Sequence, residues 1–109
     1  MQLATEVFGD VVVVHSPEEL AADQADAFER CLAETTPRRI VLDMDNTETL
    51  DSQGLTALLN SHEHAQKQGG GLKIATTNAV NRKILEITRL DRRLDVFDSV
   101  IDAVKSFRA

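Results

Sequence analysis

The sequence predicts an α/β fold in which a mixed sheet of four to five strands, with an antiparallel hairpin at the N-terminus, is flanked by about four helices. Three observations support this fold class. The 109 residues suit a single domain spanning 1–109. Short apolar runs alternate with amphipathic segments, as in strand–helix–strand units with right-handed crossovers. The first two apolar runs are joined only by Gly9-Asp10, a connection typical of a hairpin.

The strands are predicted from short apolar runs that end at turn-forming residues. They are residues 3–8, 11–14, 40–42 and 72–75, with Val96–Phe97 as a short edge strand. Four consecutive valines at 11–14 lack the alternation of a half-exposed strand. We therefore expect this strand to be covered on both faces.

The first two helices are predicted from start signals that precede amphipathic periodicity. Ser16, followed by Pro17 and then Glu19, resembles a capping box, so a helix is expected from Ser16 to about Thr35. A second helix is expected over about 54–68, with Ser52 as its N-cap.

The remaining helices also carry end signals. Three glycines at 69–71 are expected to end the second helix through a left-handed cap. Asn78 should cap the third helix, which carries Val80, Ile84, Leu85 and Ile87. Either Asp98 or Ser99 should cap the last helix, with Val100, Ile101, Val104 and Phe107 on its apolar side.

Composition limits the classes of function. The formal net charge of −6 argues against a nucleic-acid-binding surface. A single cysteine, Cys31, excludes a disulfide framework and a cysteine-rich zinc site. No apolar run approaches the roughly 20 residues that cross a bilayer, and the N-terminus lacks the order of a signal peptide. We expect a cytoplasmic domain without membrane insertion.

The stretch from Thr49 to Leu55 lies between the strand 40–42 and the second helix. A hydroxyl on Ser52 would lie in the positive end of the helix dipole, where a phosphate is tolerated. Binding sites in such sheets collect at the C-terminal ends of the strands, where Ser52 and residues 77–78 both fall. We interpret Ser52 as a phosphorylation switch on a domain that has no chemistry of its own.

Residues 40–47 resemble the first motif of haloacid-dehalogenase-type phosphatases, an apolar strand followed by D-x-D-x-T. That resemblance implies Asp43 as nucleophile and Asp45 as general acid, with Mg²⁺ between them. The chemistry also requires a lysine beside the nucleophile and a further acidic pair after a later strand. The only lysines beyond residue 78 are Lys83 and Lys105, and no acidic pair follows a strand there. A solvated acidic loop is the alternative interpretation.

A second resemblance covers residues 3–107, which look like a STAS domain, the fold of bacterial anti-sigma factor antagonists and of the cytoplasmic tails of sulphate transporters. It rests on the strand 40–44, the segment L-D-S-Q-G-L at 50–55, the glycines and strand at 69–72, the helix 78–85 and the closing segment 90–99. Gln53 departs from the family's small residue after the serine, and Thr49 from its large apolar residue. Residues 15–17 depart from its usual glycine-and-aspartate pattern.

The STAS resemblance implies that Ser52 is the phosphorylated residue. It implies that the unmodified form binds an anti-sigma factor serine kinase, which phosphorylates Ser52 and is thereby released, and that a serine phosphatase resets the switch. ATP and Mg²⁺ would belong to the kinase, and the domain itself needs no cofactor. The candidate partner contacts are Asp51, Gln53, Gly54, Thr56 and Asn78.

Some interpretations stay open at this point. Gly54 either lets a partner approach the serine backbone closely or simply begins the helix. The basic residues at 82–83, 89 and 92–93 form either a contact patch or a solvated helix end. The domain itself is either the phosphorylated antagonist or a STAS scaffold that never receives phosphate, such as an accessory subunit of a lipid transport complex.

Overall fold

The computed structural model describes residues 1–108. Its main sheet has five strands, which follow one another across the sheet in the same order as in the chain. These strands are β1 (Thr5–Phe8), β2 (Val11–His15), β4 (Arg39–Asp43), β6 (Gly71–Ala75) and β7 (Val96–Phe97). The pair β1 and β2 forms an antiparallel hairpin, and the other neighbours are parallel. The predicted mixed sheet with an N-terminal hairpin is confirmed.

In the described part of the chain, four helices flank this sheet, as predicted. They are α1 (Ala22–Ala33), α2 (Ser52–Lys67), α3 (Ala79–Ile87) and α4 (Val100–Arg108), and a 3-10 turn covers Leu90–Arg92. Within residues 1–108, none of the helices has the length and apolar character that crossing a bilayer requires.

The core has two layers, one on each face of the sheet. Val12 and Val14 point to the larger layer, which receives side chains from α1, α2 and α3. Val11 and Val13 point to the smaller layer, which α4 covers. All four valines are fully buried, so the prediction of a strand covered on both faces is confirmed.

The helix predicted to begin at Ser16 begins at Ala22 instead. Residues Glu19–Leu20 form a short strand, β3, that pairs in parallel with β5 (Thr49–Leu50). The Leu20 side chain is completely buried. The capping-box prediction is wrong because this long-range pairing and the burial of Leu20 outweigh the local preference for helix.

The end signals at Asn78, at Ser99 and at the glycines 69–71 act as predicted. The Asn78 side chain accepts a hydrogen bond from the backbone N–H of Asn81 at 3.1 Å, and Ser99 Oγ accepts one from Asp102 N at 3.1 Å. Gly69 has a φ of +87°, which supplies the left-handed end of α2. Helices α2 and α3 both begin at the edge of the sheet where β4 and β6 end.

Candidate functional site

The carboxylate of Asp51 accepts hydrogen bonds from the first turns of two helices. Asp51 is the N-cap of α2, and its Oδ1 accepts a hydrogen bond from Gly54 N at 2.9 Å. Its Oδ2 accepts a hydrogen bond from Ala22 N, the first residue of α1, at 3.1 Å. Ala21, the N-cap of α1, makes no side-chain cap bond of its own. Asp51 therefore satisfies unpaired N–H groups of both helices and fixes their starts relative to each other.

The prediction of Ser52 as the N-cap is wrong, because Asp51 occupies that position. An ionised carboxylate is a stronger acceptor for helix N–H groups than a neutral hydroxyl. Ser52 is instead the first residue of α2 and is exposed. Its backbone carbonyl accepts a hydrogen bond from Thr56 Oγ1 at 3.0 Å. The Ser52 hydroxyl is thus left out of the capping interaction, on the outer side of the helix start.

Hydrogen bonds lower the pKa of Asp51 below its ordinary value of 3.8. The Gly54 N–H contributes most, and partial desolvation opposes it by raising the pKa. The N–H groups of Ala22 and Gln53 also stabilise the charged form. Asp51 is therefore ionised throughout the neutral range, and its negative charge faces the positive ends of two helix dipoles.

Replacing Asp51 with Asn is expected to destabilise the domain at neutral pH and to have less effect in acid. The single amide oxygen of Asn can cap α2 but cannot also accept from Ala22 N. Because the folded-state pKa of Asp51 lies below 3.8, the contribution of its charge is fully present above about pH 4 and is lost as pH falls through the folded-state pKa. Urea unfolding midpoints of both proteins between pH 7 and pH 3 measure this difference.

Asp26→Asn is the matched control, since Asp26 is an exposed carboxylate on α1. Its midpoint should follow that of the wild type at every pH. A constant gap between wild type and Asp51→Asn down to pH 3 would show that the Asp51 charge does not stabilise the two helix starts.

Gly54 lies where the chain has a steric need for glycine. It is buried, and a Cβ at this position would overlap the backbone carbonyl oxygen of Leu20 in β3. The same carbonyl accepts a hydrogen bond from Asp51 N at 3.4 Å. Glycine is therefore required where the first turn of α2 packs against β3, and this close packing positions Ser52.

Hydrogen bonds also connect the loops at the C-terminal ends of β2, β4 and β6. His15 Nε2 lies 3.1 Å from Glu6 Oε1, and His15 Nδ1 lies 3.3 Å from Asp43 Oδ2. Asp43 Oδ1 accepts from Asp45 N at 3.0 Å, and Asp45 Oδ1 accepts from Thr77 N at 2.6 Å. The two carboxylates of the phosphatase-like motif thus hold neighbouring loops together. Residues 1–108 contain no cluster of three or more His, Cys, Asp or Glu side chains able to hold a metal ion.

Asn81 is a site-positioning residue that the sequence reasoning missed. It is buried on α3, and its Nδ2 donates to Thr47 O at 2.8 Å and to Met44 O at 3.3 Å. Thr47 Oγ1 in turn donates to Pro17 O at 2.8 Å. These bonds fix the loop that leads into β5 and then to Asp51. The only signal in the sequence was a polar residue on the apolar side of a predicted helix.

The structure brings most of the predicted contact residues to one edge of the sheet. Gln53 and Thr56 are exposed beside Ser52 on the first turns of α2. Asn78 begins α3 at the same edge and is half-buried because its side chain caps that helix. The exposed face of the candidate site is therefore formed by Ser52, Gln53 and Thr56, with Asp51 beneath it.

The family model of the STAS domain matches residues 2–103, which is nearly the whole chain. The chain belongs to the STAS domain family. A STAS-domain containing protein of Pseudomonas aeruginosa is 37% identical to it over 70 residues, covering 64% of this chain and 67% of that protein.

Two further relatives match over almost their full lengths. The anti-sigma F factor antagonist of Paenibacillus polymyxa is 24% identical over 108 residues, which are 95% of this STAS domain and 92% of the relative. The crystal structure of an anti-sigma factor antagonist from Mycobacterium paratuberculosis superimposes with a TM-score of 0.85 at 24% identity, covering 99% of this chain and 94% of the other. This structural likeness confirms the fold that the sequence predicts.

Proposed function

We propose that this STAS domain is an anti-sigma factor antagonist, a non-catalytic module that binds a kinase-type anti-sigma factor and is switched by phosphorylation of Ser52. The observation that carries the proposal is the position of Ser52, exposed as the first residue of α2 and relieved of capping by Asp51. The name of the Paenibacillus polymyxa relative, which matches over 95% of this chain, supports the same function.

The surroundings of Ser52 suit a phosphate. Phosphorylation adds about −1.5 to −2 charge and three acceptor oxygens. The N-termini of α1 and α2 converge on Asp51, so two positive dipole ends lie beside the new charge. The carboxylate of Asp51 opposes them. Because these effects offset each other, phosphate changes the surface presented to a partner and leaves the fold in place.

The kinase contact surface is the exposed start of α2. Ser52, Gln53 and Thr56 form its centre, and the start of α3 at Asn78 lies at its rim. Asp51 and Gly54 position this surface, since they set where α2 begins and how closely it packs on β3. ATP and Mg²⁺ belong to the kinase, and a serine phosphatase removes the phosphate and restores binding.

Ser52→Ala is expected to fold normally and to bind the anti-sigma factor kinase, but to incorporate no phosphate from it in the presence of ATP. The measurement is radiolabelled phosphate incorporation with mass spectrometry of the modified residue, using the anti-sigma factor kinase that binds the wild-type protein. Thr36→Ala is the matched control, because it removes an exposed hydroxyl from the loop between α1 and β4, outside the kinase contact surface. It should be phosphorylated like the wild type.

A phosphate on any residue other than Ser52 would discard the assignment. If the wild-type protein binds its partner but never receives phosphate, the role of a STAS scaffold or an accessory subunit takes the place of the switch.

A further inference from the structure

Helix α3 exposes an apolar stripe, of which only Ile84 also packs against the core. Val80 is 65% exposed and Ile87 is 71% exposed, and half-buried Ile84 lies between them. Their spacing of four and three residues places all three on one side of the helix. The buried side of α3 is formed by Asn81 and Leu85. Exposed apolar residues that share one face are typical of a contact surface for another molecule.

The same segment is a basic region on an acidic domain. Residues 82–93 contain five basic and two acidic side chains, a net charge of +3, whereas the whole chain has −6. Arg82 and Arg93 form ion pairs with Asp98 and Glu63. The other three basic side chains are exposed and have no ion-pair partner within residues 1–108. They are Lys83, Arg89 and Arg92.

We propose that residues 80–92, which we call the α3 surface, are a docking site for an acidic amphipathic helix of a protein partner. The stripe from Val80 to Ile87 is about 10 Å long, which matches two turns of a partner helix laid against it. Acidic side chains beside the partner's apolar face would meet Lys83, Arg89 and Arg92. The negative charge of the remaining domain repels such a helix elsewhere and so directs it to this surface.

Charge also separates this occupant from the other possibilities. A second copy docking through the same surface would bring two basic regions together, which is unfavourable. An anionic bilayer would be attracted by Lys83, Arg89 and Arg92 but repelled by a domain whose net charge is −6. The α3 surface does not include Ser52, so its use requires no phosphorylation.

A synthetic, fluorescein-labelled 18-residue peptide tests the proposal. Its helix carries leucines along one side and glutamates beside them. We expect amide chemical-shift changes in the ¹⁵N-labelled domain to be confined to residues 79–93, and the affinity measured by fluorescence anisotropy to fall between 50 and 300 mM salt. Val80→Asp with Ile87→Asp should weaken binding at least about tenfold. Lys83→Glu with Arg92→Glu should weaken it by a similar factor.

Ile101→Asp is the matched control, because Ile101 is 64% exposed on α4 and lies outside the α3 surface. It should bind the peptide like the wild type, and so should Ser52→Ala. A peptide with lysines in place of the glutamates should leave the amides of residues 79–93 unshifted. Circular dichroism verifies that each variant is folded.

Several results would overturn the proposal. One is the absence of binding at low salt, and another is an equal loss of affinity in Ile101→Asp. Sedimentation of the domain with phosphatidylglycerol vesicles that Val80→Asp abolishes would assign the surface to a membrane. Self-association in light scattering that the same variant abolishes would assign it to a second copy. None of these outcomes depends on whether Ser52 is phosphorylated.

Discussion

Replacing Gly54 with Ala is expected to lower the free energy of unfolding by about 1–3 kcal/mol. The added methyl group would overlap the carbonyl oxygen of Leu20. This oxygen belongs to the backbone of β3 and cannot rotate away as a flexible side chain could. Relief therefore requires α2 to move away from β3, which strains the hydrogen bond from Asp51 N to Leu20 O. Urea unfolding followed by circular dichroism measures the loss.

Gly71→Ala is the control for this substitution. A Cβ on Gly71 would lie 3.4 Å from the nearest atom, His62 Cε1, which is close to ordinary van der Waals contact. Alanine also reduces the conformational entropy of the unfolded chain, so the change in stability should stay within about 1 kcal/mol. If Gly54→Ala is as stable as Gly71→Ala, the close packing of α2 on β3 is not what requires glycine at position 54.

The main features of the fold could be predicted because the signals for them are local. The Gly9-Asp10 connection indicates the hairpin, since a two-residue turn of this type brings its flanking strands together. Asn78 begins α3 because its side chain reaches an N–H group only three residues away. Such interactions are contained within a few residues, so a single sequence is enough to reveal them.

The geometry of the site could not be predicted in the same way, because it depends on residues far apart in the chain. The pairing of β3 with β5 joins segments about 30 residues apart, and it displaces the helix that Ser16 appeared to begin. Asp51 caps two helices only because that pairing places Ala22 beside it. The need for glycine at position 54 arises from the same contact. Ser52 lies at the start of α2 as predicted, but the predicted role of N-cap belongs to its neighbour Asp51.

Ser52→Asp is expected to weaken binding to the anti-sigma factor kinase while leaving the fold almost unchanged. A negative charge trapped in a dry interface without a matching cation costs about 2–5 kcal/mol, or roughly 30- to several-thousand-fold in affinity. Aspartate carries less charge than phosphate, so the loss of affinity in Ser52→Asp should lie at the lower end of this range. The melting temperature should move by only a few degrees, because the positive ends of α1 and α2 offset the charge of the new carboxylate.

Isothermal titration calorimetry with the kinase and a thermal melt of each protein measure the two effects separately. Asn60→Asp is the matched control, since it adds the same charge at an exposed position of α2, two turns beyond Ser52. It should bind nearly as tightly as the wild type. An equal loss of affinity in both variants would indicate a general charge effect in place of a switch at Ser52. A collapse of the melting temperature in Ser52→Asp alone would show that the start of α2 does not tolerate negative charge, and that a phosphate there acts through the fold.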